Sequence, residues 1–312
     1  ARPYTDDPNG LGVPIVTVYD PFLKPARSSV SDVYTLILDD LNKAFTLMTK
    51  FTNSSQFSKY AAKALEAKVL LHMDRKAEAK TAALDVINNG PFTPIDAASY
   101  VGYWENPAIR TDHVETIFEV SSDAVGNNAF DAISYLYSQG GNYGDYVMPQ
   151  DFYDLFEATD VRKGLYPITP RPKPSGDPVI AIEKYPAING DRSDTKVLRL
   201  SEMYLIAAEG STDEAEARTY LNFITSRRGA SEITSTGAQL FEDIITERRK
   251  ELAYEGDRYQ DMQRLKRTIE RPEEYPSGVR SVEYSNYRRI LPIPQVEVDA
   301  NPNIRPQQNP QF

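Results

Sequence analysis

"ERRKELAYEGDRYQDMQRLKR", residues 247–267, is the densest run of charge in the chain, and its reading decides how the helical part is understood. Glu247, Glu251 and Glu255 recur every four residues, Arg248, Arg249 and Arg258 lie among them, and Gly256 breaks the run before Asp257 restarts it. On a helix the three glutamates project along one face, with Arg248 one position round. Carboxylate catalysis needs a pair flanking a substrate, one of them with its pKa raised by burial. Here every acid has a cation within a turn, which depresses the pKa instead. The stretch therefore reads as a solvated or ion-paired structural face. One helix ends at Gly256 in the left-handed conformation, and Asp257 caps the next.

Working outward, "TGAQLFEDIITERRKELAYEG" (236–256) supplies Leu240, Ile244, Ile245 and Leu252 as the apolar side of that helix. Before it come "STDEAEARTYLNFITSRRGA" (211–230), with Ser211 or Thr212 as the expected cap, and "KVLRLSEMYLIAAEG" (196–210), whose helical pattern starts at Lys196. Towards the other end, Val30, Val33, Tyr34, Ile37, Leu41, Ala44, Phe45 and Met48 step by three and four, with Ser29 or Ser31 as N-cap. "KYAAKALEAKVLLHM" (59–73) and "RKAEAKTAALDVINNG" (75–90) follow, the second closing on Gly90. Alanine at packing positions and short turns point to stacked hairpins of the tetratricopeptide type. Between the helical ends lies a long, irregular, aromatic segment with short candidate strands such as "TIFEVSS" (116–122). The expected organisation is loop plus helix hairpins over 1–90, a loop-rich segment over 91–194, helix hairpins over 195–267 and an irregular Pro-rich tail over 268–312.

Composition excludes several function classes. With 35 basic and 45 acidic residues, the net charge of −10 argues against nucleic-acid binding, which needs clustered Lys and Arg. Cysteine is absent, so there is no disulfide, thiolate metal site or cysteine nucleophile, and two histidines make no histidine-rich metal centre. His113 beside Asp112 and Glu115 is a weak metal motif and reads as a surface histidine. No cofactor is expected. No apolar run reaches the length of a membrane span. The oddity is 20 tyrosines and 22 prolines with one tryptophan.

In chain order, "GLGVPIV" (10–16), "ARSSVSDVYTLILDDLNKA" (26–44), "SKYAAKALEAKVLLHM" (58–73), "LRLSEMYLIAAE" (198–209), "LNFITSRRGA" (221–230), "ITERRKELAYEGDRYQDMQRLKR" (245–267) and "LPIPQVEVDANPNIRPQQNPQF" (291–312) resemble landmarks of the SusD/RagB family of outer-membrane nutrient-binding lipoproteins. The resemblance implies a single, mainly α, SusD-like domain with tetratricopeptide-type hairpins, a long aromatic insertion and a few short strands. It also implies a non-enzymatic, surface-exposed protein that binds a glycan and hands it to a TonB-dependent, SusC-like transporter, held to the outer membrane by a lipid anchor. On this reading the lipobox cysteine and the family's N-terminal part, with its first helix hairpin, are not in this chain.

The resemblance assigns no binding residues, so the candidates come from the residues themselves. A sugar site needs exposed ring faces for stacking and side chains that bond hydroxyls. "SYVGYWENP" (99–107) offers Tyr100, Tyr103 and Trp104. "ISYLYSQGGNYGDYVMP" (133–149) offers Tyr135, Tyr137, Tyr143 and Tyr146 beside Gln139, Asn142 and Asp145, with Gly140, Gly141 and Gly144 expected to let the loop expose its rings. Trp104 reads first as a loop anchor packed on the helices, with ligand stacking as the alternative. Two other classes remain open: a helical-repeat module that binds peptide or protein, and a glycoside-processing enzyme using Asp145 and Glu105.

Overall fold

The computed structural model describes residues 3–141, 143–170, 178–189, 193–273, 275 and 277–312. The chain is mainly helical. The helices are α1 (Val30–Leu47), α2 (Lys59–His72), α3 (Lys76–Asn89), α4 (Tyr100–Glu105), α5 (Ile133–Tyr137), α6 (Gln150–Tyr153), α7 (Leu200–Glu209), α8 (Glu214–Arg227), α9 (Gly237–Glu251), α10 (Asp257–Arg264), α11 (Ser277–Arg280) and α12 (Gln295–Ala300). The strands are β1 (Thr116–Val120), β2 (Ile168–Pro170), β3 (Pro178–Ile180), β4 (Thr195–Arg199), β5 (Ile269–Glu270) and β6 (Ser281–Val282), and they form the two-stranded antiparallel pairs β1–β4, β2–β3 and β5–β6.

Local chemistry explains most boundaries. Ser29 Oγ accepts the Asp32 N–H and caps α1. The cap of α8 is Asp213, which accepts the Glu216 N–H at 2.7 Å, and not Ser211 or Thr212; Ser211 Oγ donates to the Ala207 carbonyl instead. A Cβ on Gly90 would lie 2.4 Å from the Val86 carbonyl oxygen, so only glycine lets the chain leave α3 this tightly. Gly256 has φ +93°, as the sequence suggested. Residues 195–199, expected to be mostly helical, form a strand. Lys196, Leu198 and Arg199 are buried while Val197 faces outward, and pairing with β1 outweighs the helical continuation until Leu200. The tail is more regular than its prolines suggested, since Pro294 immediately precedes α12.

The chain forms two compact units. The first comprises residues 1–43, 72–75 and 259–312. In it Arg27 stitches two distant stretches together: Nε donates to the Gly12 carbonyl at 2.7 Å and Nη1 to the Gln307 carbonyl at 2.7 Å. The second comprises residues 44–71 and 76–258. Within it α7 packs against α3, α8 and α9. Ala79, Ala82 and Ala83 on α3 and Ala207 and Ala208 on α7 are buried, small side chains that suit close helix packing. Leu205, Leu221, Ile224, Leu240 and Ile244 fill the space between α7, α8 and α9.

Glu247, Glu251 and Asp257 of the 247–267 stretch are buried in this second unit, not solvated. The Glu251 carboxylate, with no exposed surface, receives Arg228 Nη2 at 2.8 Å, Arg199 Nη1 at 3.0 Å and Arg162 Nη1 at 3.1 Å. Arg199 also forks onto Glu255 and reaches Glu115 at 2.9 Å, and Arg162 pairs with Asp160 at 2.7 Å. None of these cations is a neighbour within the helix. Arg248 reaches Glu202 at 2.7 Å, and Arg249 lies 4.3 Å from the Phe152 ring centre. Burial alone would raise the Glu251 pKa, but Arg228, Arg199 and Arg162 overcome it and hold the carboxyl well below the usual range. Asp257 opens α10 and sits 2.5 Å from Lys68. Burial, then the neighbouring Glu202 charge, push its pKa up to about 6.

Two stability outcomes follow from these groups. Glu251→Ala strands three buried guanidiniums and is expected to cost on the order of 3–5 kcal/mol, read as a lowered urea midpoint; a midpoint within error of wild type would show that the cluster is not needed. At Asp257 the folded pKa lies above the unfolded one, so the fold binds the proton more tightly. Its contribution is full below about pH 4 and declines as pH rises through about 6, by up to about 3 kcal/mol. Wild type should therefore lose stability relative to Asp257→Asn over that window, and parallel pH profiles would contradict the assignment.

Candidate functional site

Two segments carried the candidate residues, and the structure treats them differently. Tyr100, Tyr103 and Trp104 on α4 are almost wholly buried, 1%, 3% and 1% exposed, so the expectation that they present faces to a ligand is corrected. They lie in an apolar cluster with Phe152, Phe156, Tyr166, Ile182 and Tyr185. The Trp104 ring meets Tyr103 edge-on at 5.3 Å and Tyr185 at 5.6 Å, and Lys184 Nζ stands 4.2 Å from its centre. Lys184 has no exposed surface; burial lowers its pKa to about 8 against the pull of Glu255, 2.6 Å away. Trp104 is thus the packed anchor that its first reading described, and the reason is area: an indole on a short helix finds more to cover it inside than outside.

The second segment reaches the surface. Tyr143 and Tyr146 are 45% and 59% exposed, and Asp145 is exposed beside them. Tyr135, Tyr137 and Gln139 are half-buried. Asn142 lies outside the described residues. The rings form a chain running from core to surface. Tyr185 lies near-parallel to Tyr137 at 6.3 Å, and Tyr137 meets Tyr146 edge-on at 5.7 Å. Burial, and then the neighbouring Tyr146, raise the Tyr137 pKa, so that hydroxyl stays neutral. Phe130, 54% exposed, stands edge-on to Tyr135 at 5.3 Å and adds a ring that sequence reasoning left out.

The glycines act here as close-packing residues more than as flexible ones. Gly144 sits at φ +54°, and a Cβ there would lie 2.8 Å from the Ser138 carbonyl; at Gly141 it would lie 2.9 Å from the Tyr135 carbonyl. Gly141 N–H donates to the Ser138 carbonyl at 3.0 Å. Glu183 clamps the turn from outside it, accepting Ser138 Oγ at 2.7 Å and the Gln139 N–H at 3.0 Å. The result is a turn whose backbone is held while two tyrosine rings project from it.

Elsewhere the small acidic motif disperses. Asp112 is taken by Arg110, and Glu115 is fully buried against Arg199. Among the described residues no group of three or more His, Asp or Glu is placed to hold a metal.

Comparisons with known proteins agree with this architecture. The SusD family model matches residues 180–312. A SusD superfamily protein from Bacteroides thetaiotaomicron VPI-5482 is 32% identical, with a TM-score of 0.86 over 99% of this chain and 73% of that one. The chain belongs to the SusD family. Two Bacteroides vulgatus ATCC 8482 structures, a SusD superfamily protein and a putative sugar binding protein, are each 29% identical to this SusD-family chain, at TM-scores of 0.87 and 0.85, over its whole length and 72% of theirs. SusD-like protein P2 of Formosa agariphila is 25% identical over 251 residues, and the chain spans about half of that relative, 47%.

For this member of the SusD family, Glu183 and Tyr185 are the residues that sequence reasoning missed. Nothing local in "AIEKY" marks them, because their role is to hold a loop some 40 residues away in sequence. Trp104→Ala should cost about 3–5 kcal/mol through the cavity it leaves, measured by thermal or urea unfolding; a stability loss below 1 kcal/mol would return Trp104 to the list of surface candidates.

Proposed function

We propose that this protein is a non-enzymatic, cell-surface binding protein that captures an oligosaccharide on the 135–146 turn and delivers it to a TonB-dependent, SusC-like transporter in the outer membrane. The observation that carries the reading is the pair of exposed rings, Tyr143 and Tyr146, projecting from a turn whose backbone is held by Glu183 and by its own glycines. A ring fixed before binding stacks on a sugar face with little ordering cost. Asp145 is exposed beside the rings to bond hydroxyls, and Asn142 belongs to the same proposed site, whereas Gln139 spends its Nε2 on the Gly144 carbonyl and buries its Oε1, so it serves the turn rather than the ligand. Phe130 and Tyr135 extend the apolar surface. A relative described as a putative sugar binding protein, of the same fold and 29% identical, supports a carbohydrate ligand. Among the described residues no helix is long and apolar enough to cross a membrane. In this reading a lipid anchor holds the protein to the outer membrane.

Affinity electrophoresis against a panel of neutral and acidic glycans tests it, with wild type beside Tyr143→Ala, Tyr146→Ala and the double variant. Retardation by at least one glycan is expected. Each single change should weaken it several-fold, since an aromatic pair contributes about 0.5–1.5 kcal/mol beyond its area. The melting temperature should stay put, because both rings are largely outside the core. Retardation that is unchanged in the double variant, or absent with every glycan, would sink the proposal.

A further inference from the structure

The first compact unit contains a cavity of about 650 Å³ that uses none of the residues of the tyrosine turn. Its lining includes Tyr34, Tyr259, Gln260, Gln263, Arg288 and Arg289. That size is within the range that accepts a small ligand. The charge on its walls is unusual for this molecule. The chain as a whole carries −10, yet this cavity gathers three arginines, and among the described residues only Arg264 has an acid at hand, Asp261 at 2.8 Å. Arg288 is exposed and has no carboxylate partner among the described residues; its Nε donates to the Tyr287 hydroxyl.

Arg289 is the more telling group. It is 5% exposed, and Nη1 donates to the Arg267 carbonyl at 2.7 Å. Its Nε and Nη2 are buried without any hydrogen-bond partner among the described residues, and so is Gln263 Oε1. A guanidinium withdrawn from water with two of its nitrogens unmet is costly, and natural structures rarely leave such donors empty. The two deficits are complementary in kind: the arginine lacks acceptors and the glutamine lacks a donor. A ligand carrying an anionic group and hydroxyls corrects both, the oxyanion accepting from the guanidinium and a hydroxyl donating to the amide oxygen. Tyr34 and Tyr259 also line this cavity and give it aromatic surface, the kind of group on which a pyranose stacks.

We infer that this cavity is a second binding site, selective for an acidic sugar of two or three residues bearing a carboxylate or a sulfate. Arg288 attracts the anion at the surface, Arg289 and Gln263 form the inner polar end, and Gln260 with the two tyrosines lines the approach. The inference does not rest on the tyrosine turn being a glycan platform.

Calorimetric titration with trigalacturonate, a monosulfated disaccharide and neutral galactotriose tests it, using wild type, Arg288→Ala, Gln260→Ala and the Tyr143→Ala/Tyr146→Ala double variant. At low salt one of the two acidic probes should bind about ten-fold or more tightly than galactotriose, and the one that does identifies carboxylate or sulfate as the anion. Arg288→Ala should weaken that binding about five-fold or more, and added salt should do likewise. Gln260→Ala should weaken it less, while the tyrosine double variant leaves it unchanged. Arg288 and Gln260 are exposed, so the melting temperature of their variants should match wild type and report intact folding. Acidic probes that bind no better than the neutral one, or an acidic affinity indifferent to Arg288→Ala, would overturn the inference. So would acidic binding abolished by the tyrosine double variant.

Discussion

A single buried carboxylate organises the second unit. Glu251, at the last turn of α9, is shared by guanidiniums from the end of β4, from the end of α8 and from the turn at residues 161–165. Removing four such charges from water is expensive, and the cost is recovered only because each is met by several opposed partners in good geometry. The consequence is positional. No one of these segments can shift without leaving a charge unmet, so the cluster specifies how β4, α8 and α9 meet, which apolar packing alone would leave looser.

The same cations also bind the charge cluster to the aromatic core. Arg199, which grips Glu251 and Glu255, lies 5.2 Å from the Trp104 ring centre, with Lys184 and Lys196 close to the same ring. Burial depresses the pKa of both lysines, Lys184 with Glu255 pulling the other way and Lys196 with Glu119 doing so. Trp104 is thus held by charge as well as by area. Through Tyr185 and Tyr137 that stack continues to Tyr146 at the surface, so an exposed ring is backed by the most constrained part of the molecule.

The two proposed recognition sites are built in different ways. At the turn, rings stand out from a backbone fixed by Glu183, which favours broad contact with a sugar face and little discrimination by charge. In the cavity of the first unit, unmet polar atoms on Arg289 and Gln263 favour a ligand with specific groups in specific places. If both proposals hold, the first chemistry tolerates many ligands and the second rejects those lacking an anion.

Periodicity by itself determined where the long helices run, because each must bury one stripe and that stripe repeats every three to four residues: α1, α2, α3, α8 and α9 were legible, as were the Ser29 cap and the turn at Gly256. The motif order also carried the family. What "ERRKELAYEGDRYQDMQRLKR" does was only half legible. Glu247 and Asp261 are paired within a turn, with Lys250 and Arg264, but Glu251 is met by Arg162, Arg199 and Arg228 from distant segments, which no local spacing encodes. The strand at 195–199 was hidden for the same reason, since its partner β1 lies far up the chain. At the candidate site the sequence named the tyrosines but not their fate. Tyr100, Tyr103 and Trp104 went inside while Tyr143 and Tyr146 stayed out, and that sorting depends on which rings find covering neighbours once distant segments come together.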